Sequence, residues 1–471
     1  MADINLDNMK GIKNIYSLLV LLLTAMGMGN TLWAQETGPK LQAALEQIEA
    51  EFDVILQYEE ELVRDLPTSG DWRGKELEQS LIKLLSPHNI MFSKSGERQY
   101  VIKKFEVGRR SPEEGAAQLE YLFHRYSSQQ SWEKRSESLR QCMLQSLKLS
   151  PAPPKPDSDP VVTNKRTRDG YTVENVAIET LPGLFVTGSL YRPAAMQGKI
   201  PVILSPNGHF DGGRYREDQQ LRMATLARMG AMVFSYDLFG WGESRLQVGS
   251  EAHRTPLSMT IQILNGMRIV DFLTGLNHAD STRIGITGGS GGGSQTMLLA
   301  ALDKRIDVTV PVVMLSSYFN GGCPCESGRP VHRCNGGTNN VEIAAMAAPR
   351  PQLVISDGAD WTAHVPEIAF PYLQKIYGFY GKRSLVENRH FPTEGHDYGF
   401  SKRRIMYPFM ARHLGLNLAA VTDKRGNIDE SVVVVEDESE LHVFGNDGSQ
   451  LPERAIRSFE FLKKFFDKYS N

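Results

Sequence analysis

The sequence predicts an α/β protein built on a doubly wound, mainly parallel β-sheet, with a small α+β domain in front of it. Three observations lead to this fold class. Between residues 166 and 357, apolar strand-like runs alternate with helix-like segments, as in a parallel sheet with helices on both faces. A glycine-crowded turn joins a strand-like run to a helix-like run within residues 283–302. Residues 40–105 carry helical and strand periodicities of their own.

Length and composition limit the classes of function that the protein can have. The chain has 471 residues, of which 41% are hydrophobic and 23% charged, values typical of a globular protein with room for several domains. The formal net charge of −3 gives no electrostatic reason to expect a nucleic-acid partner.

Residues 1–35 predict a secretory signal peptide. Lys10 and Lys13 precede an apolar run at 15–23, and Ala34 suits a cleavage position. The run is short for a bilayer span, so we expect no stable membrane span. The segment therefore predicts a periplasmic or secreted protein.

Residues 40–105 predict a self-contained α+β domain. Helical spacing at 41–52 and 77–85 flanks a strand-like run at 54–58, and a hairpin follows at 90–102. The segments LQAALEQIEAEFDVILQYEEELV, KELEQSLIKLLSPHNIMFS and QYVIKK resemble the secretin and TonB short N-terminal (STN) domain. The resemblance implies an envelope-associated module that contacts another protein. A spacer without a partner is the alternative.

The main domain is predicted to follow a linker. Residues 107–160 read as a helical segment that ends in a proline-rich stretch. We expect the main domain at 161–418, where an antiparallel entry pair (171–178 and 184–191) leads into strands at 200–205, 231–236, 283–287, 306–313 and 352–356 and helices at 221–229 and 256–273. Residues 419–471 are predicted to be a small covering appendage.

The glycine-crowded turn matches G-x-S-x-G at Gly288-Gly289-Ser290-Gly291-Gly292. This spacing is that of a nucleophile elbow, in which the serine occupies a strained turn between a strand and a helix. The backbone N–H of Gly291 then supplies half of an oxyanion hole. A glycine-rich loop with an incidental serine is the alternative.

An activated serine needs a base and a group that orients the base. In the α/β-hydrolase order the acid and then the histidine follow the serine. The strand-like run 351–356 ends just before two aspartates, of which we choose Asp360, with Asp357 as the alternative. For the base we choose His396, in a loop before a C-terminal helix, and His390 competes with it.

Further site residues lie on neighbouring loops. The second oxyanion donor is expected from a backbone N–H of the loop 205–213, at His209 or Phe210. Trp241 and Trp361 are the candidate substrate-pocket residues, although buried packing is the more common role of tryptophan.

The four cysteines are Cys142, Cys323, Cys325 and Cys334. The last three, with His332, have a spacing that permits metal ligation, but C-x-C is tight and the loop is rich in glycine. We therefore favour a loop staple or free thiols over a metal. No metal and no organic cofactor is expected, and the sequence leaves the cysteine pairing open.

Residues from about 130 to 445 resemble bacterial α/β-hydrolases of the acetylxylan-esterase-like type. The segments that carry the resemblance are DGYTVENVAIETLPGLFVTGSLYRP, SPNGHFDGGR, YDLFGWGESR, HRTPLSMTIQILNGMRIVDFL, GITGGSGGGSQT, GGCPCE, GTNNVEIAAMAAPRPQLVISDGADWT and EGHDYGFSKR. It implies a serine carboxylesterase that acts on decorated polysaccharide, with a triad of Ser290, Asp360 and His396. The chain departs from this family in its cysteine loop, SGRPVHRCNGG, and in its fused N-terminal module.

The predicted function is an exported serine esterase that deacetylates plant or algal polysaccharide or oligosaccharide. A glucuronoyl or methyl esterase acting on uronic acids is one alternative. Glucuronoyl esterases follow the nucleophile with an arginine, whereas this chain has Gly291. A non-catalytic envelope binding protein is a second alternative. A prolyl peptidase is a third and less favoured alternative, because the sequence has no region of the length that a propeller domain requires.

Overall fold

The computed structural model describes residues 39–68, 71–105, 109–327 and 329–469. The predicted signal peptide at 1–35 lies outside these residues. The chain divides into two compact units: one comprises residues up to Leu84 together with Phe92–Lys103, and the other comprises Leu85–Met91 together with Lys104–Asn471. In the part of the chain just defined, no helix is both long and apolar enough to cross a membrane.

The first unit is a small α+β structure. Its helices are α1 (Leu41–Phe52), α2 (Glu60–Val63) and, except for Leu85, α3 (Leu77–Leu85). Its strands are β1 (Ile55–Gln57) and most of β2 (Ile90–Gly96) and of β3 (Gln99–Lys104). The sheet order is β1-β3-β2, with β1 parallel to β3. Leu41, Leu45 and Ile48 of α1 are fully buried, which confirms the amphipathic helix that their spacing predicts.

Two helices precede the large sheet: α4 (Pro112–Arg125) and α5 (Gln129–Ser146). Each begins at a serine that forms a capping box, Ser111 and Ser128, which supplies a partner to backbone N–H groups that the helix leaves unpaired. Leu119 of α4 and Trp132 of α5 lie in the core of the second unit. These helices are therefore packed parts of the second unit.

The second unit is organised by one nine-stranded sheet. The strands are β4 (Val161–Arg168), β5 (Tyr171–Leu181), β6 (Leu184–Pro193), β7 (Ile200–Pro206), β8 (Met232–Tyr236), β9 (Ala279–Gly289), β10 (Val308–Val312), β11 (Gln352–Asp357) and β12 (Val386–Phe391). Their order is β12-β11-β10-β9-β7-β8-β6-β5-β4. The six strands from β12 to β8 run parallel, and β6, β5 and β4 extend the sheet antiparallel. The predicted doubly wound, mainly parallel sheet is confirmed.

Helices cover both faces of this sheet. They are α6 (Glu217–Arg228), α7 (Arg245–Val248), α8 (Leu257–Gly275), α9 (Gly291–Leu302), α10 (Arg329–His332), α11 (Asn340–Ala345), α12 (Phe370–Phe379), α13 (Phe400–Leu414) and α14 (Phe459–Tyr469). Side chains of β7 alternate between the two faces: Val202 and Leu204 lie in one core and Ile203 in the other. Burial on both faces explains why the central strands are continuous apolar runs.

The C-terminal segment after residue 418 covers one end of the sheet. Glu436 forms salt bridges with Arg166 and Arg168 of β4, at 2.6 and 3.0 Å. The carboxylate of Glu243 accepts hydrogen bonds from the backbone N–H groups of Val443 and Phe444 at 2.7–2.9 Å. The segment is thus held to the sheet by buried ion pairs and backbone contacts and by apolar side chains such as Val443 and Phe444, which pack with Phe185.

Candidate active site

The predicted site residues follow four parallel strands at their carboxyl ends. His209 follows β7, Ser290 follows β9, and Asp360 and His396 follow β11 and β12. Parallel strands end at the same edge of a sheet, where open α/β sheets place their ligands. The topology therefore gathers residues that are up to 187 positions apart in the sequence.

Ser290 occupies a strained turn. Its φ and ψ are 55° and −124°, a conformation that a residue with a side chain seldom adopts. Its backbone N–H donates to the carbonyl of Val312 at 3.0 Å, and α9 begins at the next residue. A Cβ atom on Gly292 would lie 2.3 Å from the carbonyl oxygen of Pro206. The flanking glycines thus let strand, helix and neighbouring loop approach closely.

Asp360 and His396 form a hydrogen-bonded pair. The distance from His396 Nδ1 to Asp360 Oδ2 is 2.6 Å, and the Asp360 side chain is only 3% exposed. Burial by itself raises the pKa of Asp360, but hydrogen bonds from His396 and Thr362 outweigh it and hold the pKa below its usual value. An ionised Asp360 fixes the proton of His396 on Nδ1 and leaves Nε2 able to accept another.

The two alternative residues have other partners. Asp357 is buried and lies 3.4 Å from the amine of Lys402. Burial and the nearby Asp360 raise the pKa of Asp357 to about 6, against the opposing charge of Lys402. His390 lies on β12, with Nδ1 2.9 Å from the hydroxyl of Ser356. The hydrogen bond between Asp360 and His396 therefore favours these two residues over Asp357 and His390 as the candidate acid and base.

Aromatic rings surround the imidazole of His396. The ring of Trp361 lies 4.4 Å from it and that of Phe210 5.6 Å, between centroids. A Cβ atom on Gly289 would lie 3.5 Å from the Phe210 ring. Phe210 therefore lies beside the imidazole and close to the residue that precedes Ser290.

A second aromatic ring and a positively charged side chain lie next to Trp361. The ring of Phe319 packs 4.5 Å from Trp361, and the guanidinium of Arg109 lies over Phe319 at 5.8 Å from its centroid. Arg109 is exposed. This side of the site therefore offers aromatic surface followed by a positive charge.

The predicted oxyanion donors lie near the elbow. Gly291 is the first residue of α9, whose N-terminal N–H groups have no intrahelical partner. The loop after β7 lies directly against the turn at Ser290. A Cβ atom on Gly208 would lie only 2.5 Å from the carbonyl oxygen of Gly289, which shows how close the approach is. Asn207 anchors this loop through its Nδ2, which donates to the carbonyl of Tyr236 at 2.8 Å.

The side chain of His209 has partners that the sequence analysis missed. Its Nε2 lies 2.8 Å from Nε2 of His253 and 3.2 Å from Sγ of Cys325, and its Nδ1 lies 3.0 Å from Glu326. The side-chain donors of His209, His253, Cys323 and Cys325 all lie within 4.8 Å of one another.

Trp241 packs against this cluster rather than against His396. Its ring centroid lies 5.6 Å from His209 and 5.8 Å from His253. The two predicted pocket tryptophans therefore occupy different surroundings, because Trp361 contacts His396.

The cysteines pair differently from the set considered in the sequence analysis. Cys334 forms a disulfide with Cys142 of α5, and His332 Nε2 lies 2.8 Å from Asn340 Oδ1. Cys323 and Cys325 are not disulfide-bonded. The combination of Cys323, Cys325, His332 and Cys334 therefore does not assemble, since its members contact other groups.

A family model described as X-Pro dipeptidyl-peptidase (S15 family) matches residues 183–363, and no curated protein matches the sequence. The solved structure of methylesterase BT1017 has 47% sequence identity and a TM-score of 0.73, and the match covers 93% of this chain and 98% of that chain. A glucuronoyl esterase from Solibacter usitatus is 13% identical, with a TM-score of 0.46 over 61% of this chain and 94% of that chain. An acetyl xylan esterase from Paenibacillus sp. R4 is 17% identical, with a TM-score of 0.40 over 61% of this chain and 94% of that chain.

Proposed function

This chain belongs to the same family as methylesterase BT1017, and on that premise we propose that it is a serine hydrolase of carboxylic esters. The observation that carries the proposal is the 2.6 Å hydrogen bond between Asp360 and His396. This pair lies at the same sheet edge as the strained turn of Ser290. A nucleophile, a base and a group that orients the base are what acyl transfer through a serine requires.

The roles follow from the chemistry of each group. Ser290 Oγ attacks the ester carbonyl, and Nε2 of His396 accepts its proton and passes it to the leaving alcohol. Asp360 keeps the imidazole in the tautomer that can accept this proton. The N–H of Gly291 and one from the loop Asn207–Phe210, with His209 as the first choice, stabilise the oxyanion. Water then attacks the acyl-enzyme and releases the acid.

For the substrate we propose a methyl ester of a uronic-acid residue in a polysaccharide. The 47% identical relative is a methylesterase, so a methyl ester is favoured over the acetyl ester of the sequence analysis. The aromatic surface of Trp361 and Phe319 suits a sugar ring, and the charge of Arg109 suits a neighbouring free carboxylate. Trp241 packs on the histidine cluster and takes no direct part in this arrangement.

The test compares Ser290→Ala with the unchanged chain on a panel of substrates. The unchanged chain should release methanol from a methyl-esterified polyuronate, and Ser290→Ala should lose at least about 10³-fold in rate, as loss of a nucleophile does. Ser294→Ala, one helical turn further on, is the matched control and should keep its activity. Acetylated xylan, a glucuronoyl ester and an X-Pro amide complete the panel.

Each result on this panel has a meaning. Full activity in Ser290→Ala would refute the serine mechanism, and no turnover of any ester would favour the non-catalytic binding protein. Faster release of acetate than of methanol would keep the mechanism and return the substrate to an acetyl ester. Cleavage of the X-Pro amide alone would make the chain a peptidase.

We further propose that the protein is periplasmic or secreted and that the first unit contacts an envelope protein. The disulfide between Cys142 and Cys334 supports export, because disulfides persist in oxidising compartments. The match to methylesterase BT1017 covers 93% of the chain, more than residues 107–471 could supply. At least part of the first unit therefore has a counterpart in that protein, whereas its resemblance to an STN domain stays a prediction.

A further inference from the structure

Four metal-ligating side chains converge beside the nucleophile elbow. They come from three loops at the carboxyl edge of the sheet: His209 follows β7, His253 lies in a 3-10 turn between β8 and α8, and Cys323 and Cys325 follow β10. All four donor atoms lie within 4.8 Å of one another. His253 and Cys325 are buried, at 4% and 2% exposure, so the cluster is largely shielded from solvent.

The outer hydrogen bonds turn both imidazoles toward the centre of the cluster. Nδ1 of His253 lies 2.6 Å from the backbone carbonyl oxygen of Phe239, and Nδ1 of His209 lies 3.0 Å from the carboxylate of Glu326. Because both of these oxygens are acceptors, each neutral ring carries its proton on Nδ1. Such carbonyl and carboxylate partners are the usual outer contacts of histidines that bind a metal.

The two inward nitrogens then repel each other unless a proton or a metal cation lies between them. The Nε2 atoms of His209 and His253 are 2.8 Å apart, and with both protons on Nδ1 each presents a lone pair to the other. Sγ of Cys325 lies 3.2 Å from the same Nε2 of His209. In a tetrahedral zinc site with two nitrogen and two sulfur ligands, the donor atoms lie roughly 3.3–3.8 Å apart. The two observed contacts are shorter than the lower of these values by about 0.5 and 0.1 Å, and all four donor atoms lie within 4.8 Å of one another, so small side-chain shifts would bring the set to the tetrahedral geometry.

Charge and redox chemistry agree with this arrangement. Two thiolates and two neutral imidazoles around Zn²⁺ give a complex with no net charge, which a buried site can hold at low cost. Binding releases the two thiol protons to solvent. The same chain holds a disulfide between Cys142 and Cys334, so two neighbouring thiols that stay unpaired need a reason, and metal ligation supplies one.

We propose that His209, His253, Cys323 and Cys325 form a tetrahedral zinc site. The ion ties together three loops on either side of the elbow. A Cβ atom on Gly291 would lie 2.7 Å from the His209 ring and 2.8 Å from Glu326, so the site lies directly against the residue that follows Ser290. Its role is to hold the loop Asn207–Phe210 in place, and only its effect on hydrolysis rests on the proposed function.

The test measures the metal first. The full chain, purified without chelator and dialysed against zinc and then against metal-free buffer, should retain one zinc per chain by elemental analysis. A mercurial reagent that modifies thiols should release this zinc into a colorimetric indicator. Exchange of zinc for Co²⁺ should give the near-ultraviolet charge-transfer band of a cobalt–thiolate bond, which reports sulfur ligands independently of activity.

Variants locate the site. Cys325→Ser and His253→Gln should lose the bound zinc. His278→Gln changes an exposed histidine that does not belong to the cluster, so this control variant should retain the zinc. Ser290→Ala should also retain zinc while it loses activity, so failure of the zinc site and failure of the proposed function are distinguishable. If the ligand variants do not fold, the measurements on the unchanged chain still decide.

Three results would overturn the proposal. One is an unchanged chain that retains no zinc and has both thiols open to alkylation. Another is a peptide map of the same chain that shows a disulfide between Cys323 and Cys325. Retained zinc that survives both Cys325→Ser and His253→Gln would place the metal elsewhere and would also overturn it.

Discussion

Asp357 and Asp360 are three positions apart, yet their surroundings give them opposite electrostatic properties. Hydrogen bonds from His396 and Thr362 hold the pKa of Asp360 below its usual value. Burial raises the pKa of Asp357 to about 6. The sequence could offer both aspartates as the catalytic acid because both come just after the same strand-like run, 351–356. Only the fold shows that one contacts His396 and the other Lys402.

Asp360→Asn should therefore be the more damaging of the two changes. An amide cannot fix the proton of His396 on Nδ1, so we expect kcat for ester hydrolysis to fall by about 10³–10⁴-fold, as for other triads in which the acid becomes an amide. The measurement is steady-state hydrolysis of an activated ester. A larger loss in Asp357→Asn than in Asp360→Asn would contradict the assignment of the acid.

The control, Asp357→Asn, has a pH signature of its own. Because the folded-state pKa of Asp357 is about 6 and the unfolded value is about 3.9, its ionisation costs stability as the pH rises between these values. Asp357→Asn has no ionisable group at this position, so its stability does not fall in this way. Its Tm relative to the unchanged chain should increase from pH 4 to pH 6 and level off above, as measured by differential scanning fluorimetry.

At the scale of elements, the turn between β9 and α9 depends on closely packed glycines. A Cβ atom on Gly292 would lie 2.3 Å from the Pro206 carbonyl oxygen, and a backbone atom cannot move away as the end of a side chain can. Gly292→Ala should cost about 1–3 kcal/mol or more in the free energy of unfolding. At the end of α8, a Cβ atom on Gly275 would meet no atom within 4 Å beyond its chain neighbours and the helix backbone, so Gly275→Ala should gain about 0.4–1 kcal/mol.

Chemical denaturation of both variants measures this difference. Activity of Gly292→Ala should fall as well, because the elbow and the loop after β7 shift together. Equal stabilities of the two alanine variants would contradict the close approach of the elbow to Pro206.

The strands that could be predicted from the sequence are those buried on both faces, because their residues form a regular apolar pattern. Central strands such as β7 and β10 are covered on both faces, so they are apolar runs that can be recognised without a structure. The edge strands β4 and β12 were missed. Their sequences, VVTNKRTR and VENRHF, are rich in charged and polar residues, as sheet edges commonly are, and they carry little hydrophobic pattern.

The candidate site could be predicted to the extent that its proposed members follow a known order along the chain. Ser290, Asp360 and His396 have the serine–acid–histidine order, so the sequence pointed to them. His253 and Glu326 have no such order relative to His209. Their association depends on which strands are neighbours, β10-β9-β7-β8, and spacing in the sequence does not encode that order.

At the scale of the whole molecule, the two units are not consecutive segments of the chain. Residues Leu85–Met91 belong to the second unit although the segments on both sides belong to the first. Arg110, which is only 8% exposed, donates to the carbonyl of Ser86 at 3.1 Å and to the side chain of Asn89. Burial lowers the pKa of Arg110 to about 10. A chain that began after residue 105 would therefore lack the acceptors of a buried cation.

Asn89→Gly tests whether this short segment stabilises the second unit. Glycine tolerates the φ of 55° that Asn89 adopts, so the change removes mainly the acceptor for Arg110 and for Gln118, whose Nε2 lies 3.1 Å from it. We expect a loss of about 1.5–3 kcal/mol, as for a hydrogen bond to a charged group. Asp53→Gly, at a φ of 53° and a solvent-exposed site, is the matched control and should change stability by at most about 0.5 kcal/mol. Thermal unfolding of both variants measures the difference, and equal midpoints would show that the hydrogen bonds to the Asn89 side chain do not stabilise the second unit.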